Sequence, residues 1–243
     1  MTTSRIIMEF ADRPHYDVRI GTGIAAVLGR DLRAGAPQAD RVVLICDSES
    51  RTRVAPVLFR SLNEAGFRVV DITIPAVDPA DAWAAVAELH QAFASLNLTA
   101  GTPLVVCAGV QATDIAAFAA SSYGARQPLV LVPASLACAI HNVGVDSFEL
   151  DAGLEYPVRI SAAPALASID CDALACESGE EAQLGLDDLT REASFCDEDF
   201  RAWCAEQTAG LAAGDVETLT LALTQILAAR ADALGRDIAA RLG

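Results

Sequence analysis

Three short segments carry side chains able to meet a nucleotide or a phosphate. Asp47 directly follows the apolar run Arg41–Cys46, where a carboxylate can accept from a ribose hydroxyl. Ala108-Gly109-Val110-Gln111-Ala112-Thr113-Asp114 follows a second run, Leu104–Cys107, and Pro133-Ala134-Ser135-Leu136 follows a third, Leu129–Val132. Turns of this kind, at the ends of parallel strands and the starts of helices, are where backbone N–H groups meet anions. The same residues also suit ordinary turn chemistry, with Asp47 and Asp114 as helix caps and Ser135 as a satisfied hydroxyl. Between Glu177 and Asp199 lie nine acidic residues against the single Arg191, which reads as a solvated face, a partner surface or the remnant of a metal site.

The elements that must position these segments follow from the hydrophobic pattern. Arg5–Phe10, Tyr16–Ile20, Arg41–Cys46, Phe67–Ile74, Leu104–Cys107 and Leu129–Val132 read as strands. Helices are expected over Ile24–Leu32, through Val54, Leu58 and Leu62, over Asp78–Ala94 with Asp78 as cap, and over Thr113–Ser121. Strands alternating with helices predict an α/β, Rossmann-like parallel sheet covered on both faces. Only helical patterns follow residues 172–178, so a Rossmann-like domain over 1–174 and a helical domain over 175–243 are expected. Asp215 caps the last helix, in which Val216, Leu219, Leu223, Ile226, Leu227, Leu234, Ile238 and Leu242 form an apolar stripe.

Composition narrows the chemistry. The net charge of −16 argues against nucleic acid or anionic membrane as a partner. All 17 basic residues are Arg, which excludes a Schiff-base lysine, a lysine general base and a Walker-type phosphate lysine. The seven cysteines form no CxxC pair and read as reduced thiols of a cytoplasmic protein. Cys171 and Cys176 lie near Glu177, Glu180 and Glu181 without a complete zinc spacing. The longest apolar stretch, Pro128–Ile140, is too short to span a bilayer.

At the chemistry-bearing segments the chain resembles the dehydroquinate synthase (sugar phosphate cyclase) family. AGVQATDIAAFAASSY resembles that family's GGGVxGDLAGFAAATY, and PLVLVPASLACAI its PTTLLA segment. YDVRIGTG, VVLICDSES, IDCDAL and GLDDLTREASFCDEDFRAWCAEQ occur in the family's order, so the resemblance runs from about Tyr16 to the C-terminus. It implies an NAD-binding domain over a helical, metal-binding domain, with a sugar phosphate cyclised in the cleft between them.

The departures from the family pattern shape the functional expectation. The glycine triplet becomes Ala108-Gly109-Val110, which crowds a pyrophosphate approach. Asp47, Gly109, Asp114 and Ser135 leave room for NAD. His141 replaces the family's aspartate after PTTLLA, Asp146 stands near its lysine, and Arg191 replaces a later lysine. The metal-ligand glutamate corresponds to Asp188, a shorter carboxylate, and the histidine pair lies beyond Gly243, so metal is not expected.

The resulting expectation is a degenerate, non-catalytic relative that acts as a binding or regulatory partner. It would be a homodimer or a heteromer with a pathway enzyme. Two alternatives stand beside it. One is metal-free chemistry on NAD or a sugar phosphate through His141 and Arg126, the latter close to the place of the family's RG pair and able to meet a phosphate. The other is one half of a split cyclase, with Asp188 as the ligand supplied here.

Overall fold

The computed structural model describes residues 3–125 and 127–242. Its strands are β1 (Thr3–Met8), β2 (Tyr16–Gly21), β3 (Arg41–Asp47), β4 (Arg68–Ile74), β5 (Leu104–Cys107), β6 (Leu129–Leu131), β7 (Ser147–Leu150), β8 (Val158–Ser161) and β9 (Leu166–Asp170). The helices are α1 (Leu28–Gly35), α2 (Ser50–Arg53), α3 (Ala55–Glu64), α4 (Ala82–Ser95), α5 (Val110–Ser122), α6 (Leu136–His141), α7 (Cys171–Ala175), α8 (Glu180–Ala193), α9 (Glu198–Glu206), α10 (Thr208–Ala212) and α11 (Val216–Leu242).

Seven strands form one sheet in the order β1-β2-β9-β6-β5-β3-β4, and β7 pairs with β8 in a separate hairpin. The expected parallel sheet is present from β2 to β4, but β1 runs antiparallel to β2 at the edge. β7, β8 and β9 were not expected from the sequence. The last of these is central, pairing in parallel with β2 on one side and β6 on the other.

Burial on both faces explains the unbroken apolar run of β3. Val43 and Ile45 enter the core beneath α4, α5, α6 and α11, while Val42, Leu44 and Cys46 enter the opposite core beneath α1 and α3. The α11 stripe turns Leu219, Leu223, Ile226 and Leu227 into the first of these cores, and α11 packs on β1, β2, α7 and α8. The expected helix at Ile24–Leu32 is divided into a 3-10 turn, Ile24–Val27, and α1. Asp78 caps as expected, accepting from the Ala80 N–H at 3.0 Å, but the turn it opens is also 3-10, and α4 begins at Ala82.

Close approach of α1 to α3 depends on Gly29. A Cβ there would lie 2.1 Å from the Ser61 carbonyl oxygen and 2.9 Å from the Leu62 nitrogen, both backbone atoms. The two helices would have to part to admit it. Gly29→Ala is therefore expected to cost about 1–3 kcal/mol, read as a lower midpoint in urea.

Candidate functional site at the carboxyl edge of the sheet

The carboxyl ends of β2, β3, β5, β6 and β9 open on one edge of the sheet, and the turns that follow them expose backbone N–H groups. Three of the protein's own carboxylates hold these turns. After β3, Asp47 accepts from the Gly109 N–H through Oδ2 at 2.7 Å and from the Ser50 N–H through Oδ1 at 2.7 Å. Buried Ser50 locks the arrangement by donating its hydroxyl to the Cys107 carbonyl at 2.6 Å. At the end of β9, Asp170 accepts from the N–H groups of Gly23 at 3.1 Å and Ala25 at 2.9 Å. At the start of α6, the Leu136 N–H donates to Glu177 Oε2 at 2.9 Å.

These carboxylates have acidic neighbours. Burial raises the Glu177 carboxyl above its ordinary range and Glu49 adds to the rise, while the Leu136 N–H and Arg53 oppose it. Burial likewise raises Glu181, reinforced by hydrogen bonding and charge from Glu49. Arg53 is the nearby cation, but it is committed: it donates to the Ala173 carbonyl at 2.7 Å and to the Ala134 carbonyl, and pairs with Glu49.

A cavity of about 730 Å³ adjoins this edge, walled by the first turn of α5, the end of α6, the β7–β8 hairpin and Leu234 of α11. Asp114 stands on its wall, with burial raising its carboxyl to about 7. The Asn142 amide donates to Asp114 Oδ1 at 2.7 Å and opposes the rise, as does the Glu149 backbone N–H, while the Glu149 charge adds to it. His141, at the end of α6, hydrogen-bonds Asp188 of α8 at 2.7 Å, and Arg191 holds the other oxygen of Asp188. Arg230 fixes the same corner, donating to the carbonyls of Ile140 at 2.8 Å and Val143 at 2.6 Å and pairing with Glu192 at 2.7 Å. Gly144 closes the turn at φ +77°, where a Cβ would also meet the Arg230 side chain at 2.8 Å.

The residues singled out in the sequence therefore divide into two groups. Asp47, Gly109 and Ser135 come together: a Cβ on Gly109 would lie 3.6 Å from Asp47 Oδ2 and 3.9 Å from Ser135 Oγ. Ser135 is buried and accepts from the Cys138 N–H at 3.1 Å as the cap of α6. Asp114 and His141 face the cavity instead, and His141 is joined to Asp188. Arg126 lies outside the described residues. Sequence reasoning missed Asp170, Glu177 and Asn142 as site residues. Asp170 stands inside the IDCDAL segment, so its position after a strand-like run was the available signal; Glu177 and Asn142 had none. Among the described residues no group of three or more His, Cys, Asp or Glu is arranged to hold a metal ion.

The mixed sheet, followed by a run of helices, is a fold shared with solved structures of cyclases and dehydrogenases. The fold matches a 2-deoxy-scyllo-inosose synthase with a TM-score of 0.83 at 15% identity, covering 97% of this chain and 66% of the other. A 2-epi-5-epi-valiolone synthase from Streptomyces hygroscopicus, with NAD+ and Zn2+ bound, matches with a TM-score of 0.73 at 19% identity over 91% of this chain and 61% of that one. An iron-containing alcohol dehydrogenase from Thermococcus thioreducens shares the fold at a TM-score of 0.66 and 14% identity, over 92% and 65% of the two chains.

Sequence narrows the class. The 3-dehydroquinate synthase of Symbiobacterium thermophilum is 23% identical over 91% of this chain, and that of Caulobacter vibrioides 25% identical over 91%. In sequence and fold the chain is similar to the dehydroquinate synthase-like, sugar phosphate cyclase family. No family model matches it. The chain spans 62% and 60% of the lengths of these two relatives. No helix among the described residues is long and apolar enough to cross a membrane.

Proposed function

We propose that this chain is a non-catalytic member of the cyclase family that serves as a binding or regulatory partner of another protein. The observation that carries the reading is the occupation of strand-end N–H groups by internal carboxylates. A dinucleotide pyrophosphate is an anion that seeks such groups. At Gly109 it would have to displace Asp47, and at Leu136 it would have to displace Glu177. Glu49 and Glu181 stand beside them, and like charges repel an incoming phosphate. These carboxylates oppose a dinucleotide pyrophosphate at the two turns.

The arrangement at Asp188 also opposes a catalytic divalent metal. The two oxygens of Asp188 are engaged by His141 and by Arg191, and a guanidinium at that point opposes a second cation. A partner role is supported by apolar surface on and just beyond α8, where Leu184 is 60% and Phe195 80% exposed.

Thermal unfolding with and without millimolar NAD+ tests the reading, because a ligand bound only by the folded state raises the midpoint. No rise is expected. A clear rise, together with phosphate release from the 3-dehydroquinate synthase substrate in the presence of NAD+ and Zn2+, would overturn it.

A second reading, metal-free chemistry at His141, is favoured by one observation, the 2.7 Å bond that orients its imidazole against Asp188 at the cavity wall. Under that reading His141→Ala abolishes whatever turnover the protein shows.

A further inference from the structure

The cavity beside α5 and α6 has the charge of a cation site and the size of an organic ligand site. Among the described residues five carboxylates line it, those of Asp114, Asp146, Glu149, Asp151 and Glu155, with Arg159 as the one guanidinium in the wall. The cations in reach are already used. Arg159 pairs with Glu149, and Arg13 reaches Asp146 at 3.8 Å from outside the wall. Asp151 accepts only from the Gly153 N–H of its own turn.

Asn142 makes a separate demand. It lines the cavity at 3% exposure, donates its amide N–H to Asp114, and leaves its buried Oδ1 without a partner. A buried acceptor without a donor is costly, and a ligand N–H would recover that cost. Asn142 Oδ1 thus adds an unmet acceptor to the carboxylates of the wall.

We propose that this cavity binds an aliphatic di- or polyammonium ligand, its nitrogens taken by Asp151 and Glu155 and by Asn142 Oδ1. The carboxylates are spread around about 730 Å³, and among the described residues no three ligating side chains converge on one point. A spaced polycation matches that distribution better than a single ion. Val110, Leu154 and Leu234, in the same wall, supply apolar surface for the methylenes between the charges. The inference stands apart from the non-catalytic reading, since amine binding neither requires nor forbids turnover.

Calorimetric titration with spermidine at constant ionic strength tests it. Saturable one-site binding is expected, weakened about tenfold or more in an Asp151→Asn, Glu155→Gln double variant. Both side chains are exposed, so their replacement leaves the core intact. A Glu64→Gln, Glu206→Gln double variant removes the same charge from exposed positions remote from the cavity lining and is expected to bind as the parent does. Absence of saturable binding, or equal weakening in the two double variants, would overturn the proposal in favour of none or of diffuse counter-ion attraction.

Discussion

Asp114→Asn is expected to stabilise the protein above neutral pH, by up to about 4 kcal/mol at pH 8, and to change little near pH 4. The folded environment raises this carboxyl from 3.8 to about 7, chiefly through burial. A raised acid is held protonated by the folded state, so the folded state binds more protons than the unfolded one between those values. Stability then falls as pH rises from about 4 to about 7, at up to about 1.4 kcal/mol per pH unit. Asparagine keeps the size and an acceptor for the Asn142 amide but never ionises, and the weakened bond from the Glu149 N–H sets part of the gain aside. Urea denaturation of both proteins across this range measures the effect. Curves that stay parallel would show that Asp114 does not supply the slope.

Asp170→Ala is expected to cost about 3 kcal/mol, seen as a fall of about 6–12 °C in Tm. The carboxylate is 5% exposed and accepts from three N–H groups, those of Gly23, Ala25 and Asp172. Removing it orphans two donors in the turn after β2 and uncaps α7. Exposed Asp172, two residues on, offers a control, because its replacement by alanine is expected to stay within about 0.5 kcal/mol. Similar losses at the two positions would contradict the role given to Asp170.

Most of the sheet was legible because burial on both faces leaves continuous apolar runs, as in Arg41–Cys46 and Leu104–Cys107. β9 was not, because Leu166–Asp170 reads LASID, too poor in bulky residues to announce a central strand. Its burial comes from β2 and β6, which lie far from it in the chain. The hairpin of β7 and β8 was hidden by its shortness, at four residues a strand.

The site divides along the same line. Asp47, Gly109 and Ser135 were legible because each lies just past a strand that the pattern reveals. Asp170 acts on Gly23 from 147 residues away, and Glu177 on Leu136 from 41. Local pattern carries no record of such partners. The pairing of His141 with Asp188 was equally hidden, although both residues had been singled out separately.

The place of β9 in the sheet also bears on synthesis of the chain. β2 gains its second neighbour only when Leu166–Asp170 has emerged from the ribosome, although β2 itself ends at Gly21. At about 5–20 residues per second, that leaves one edge of an early hairpin unpaired for on the order of ten seconds. An open strand edge is a template for the wrong partner. The nascent protein therefore needs shelter during translation for longer than its short hairpins alone would require.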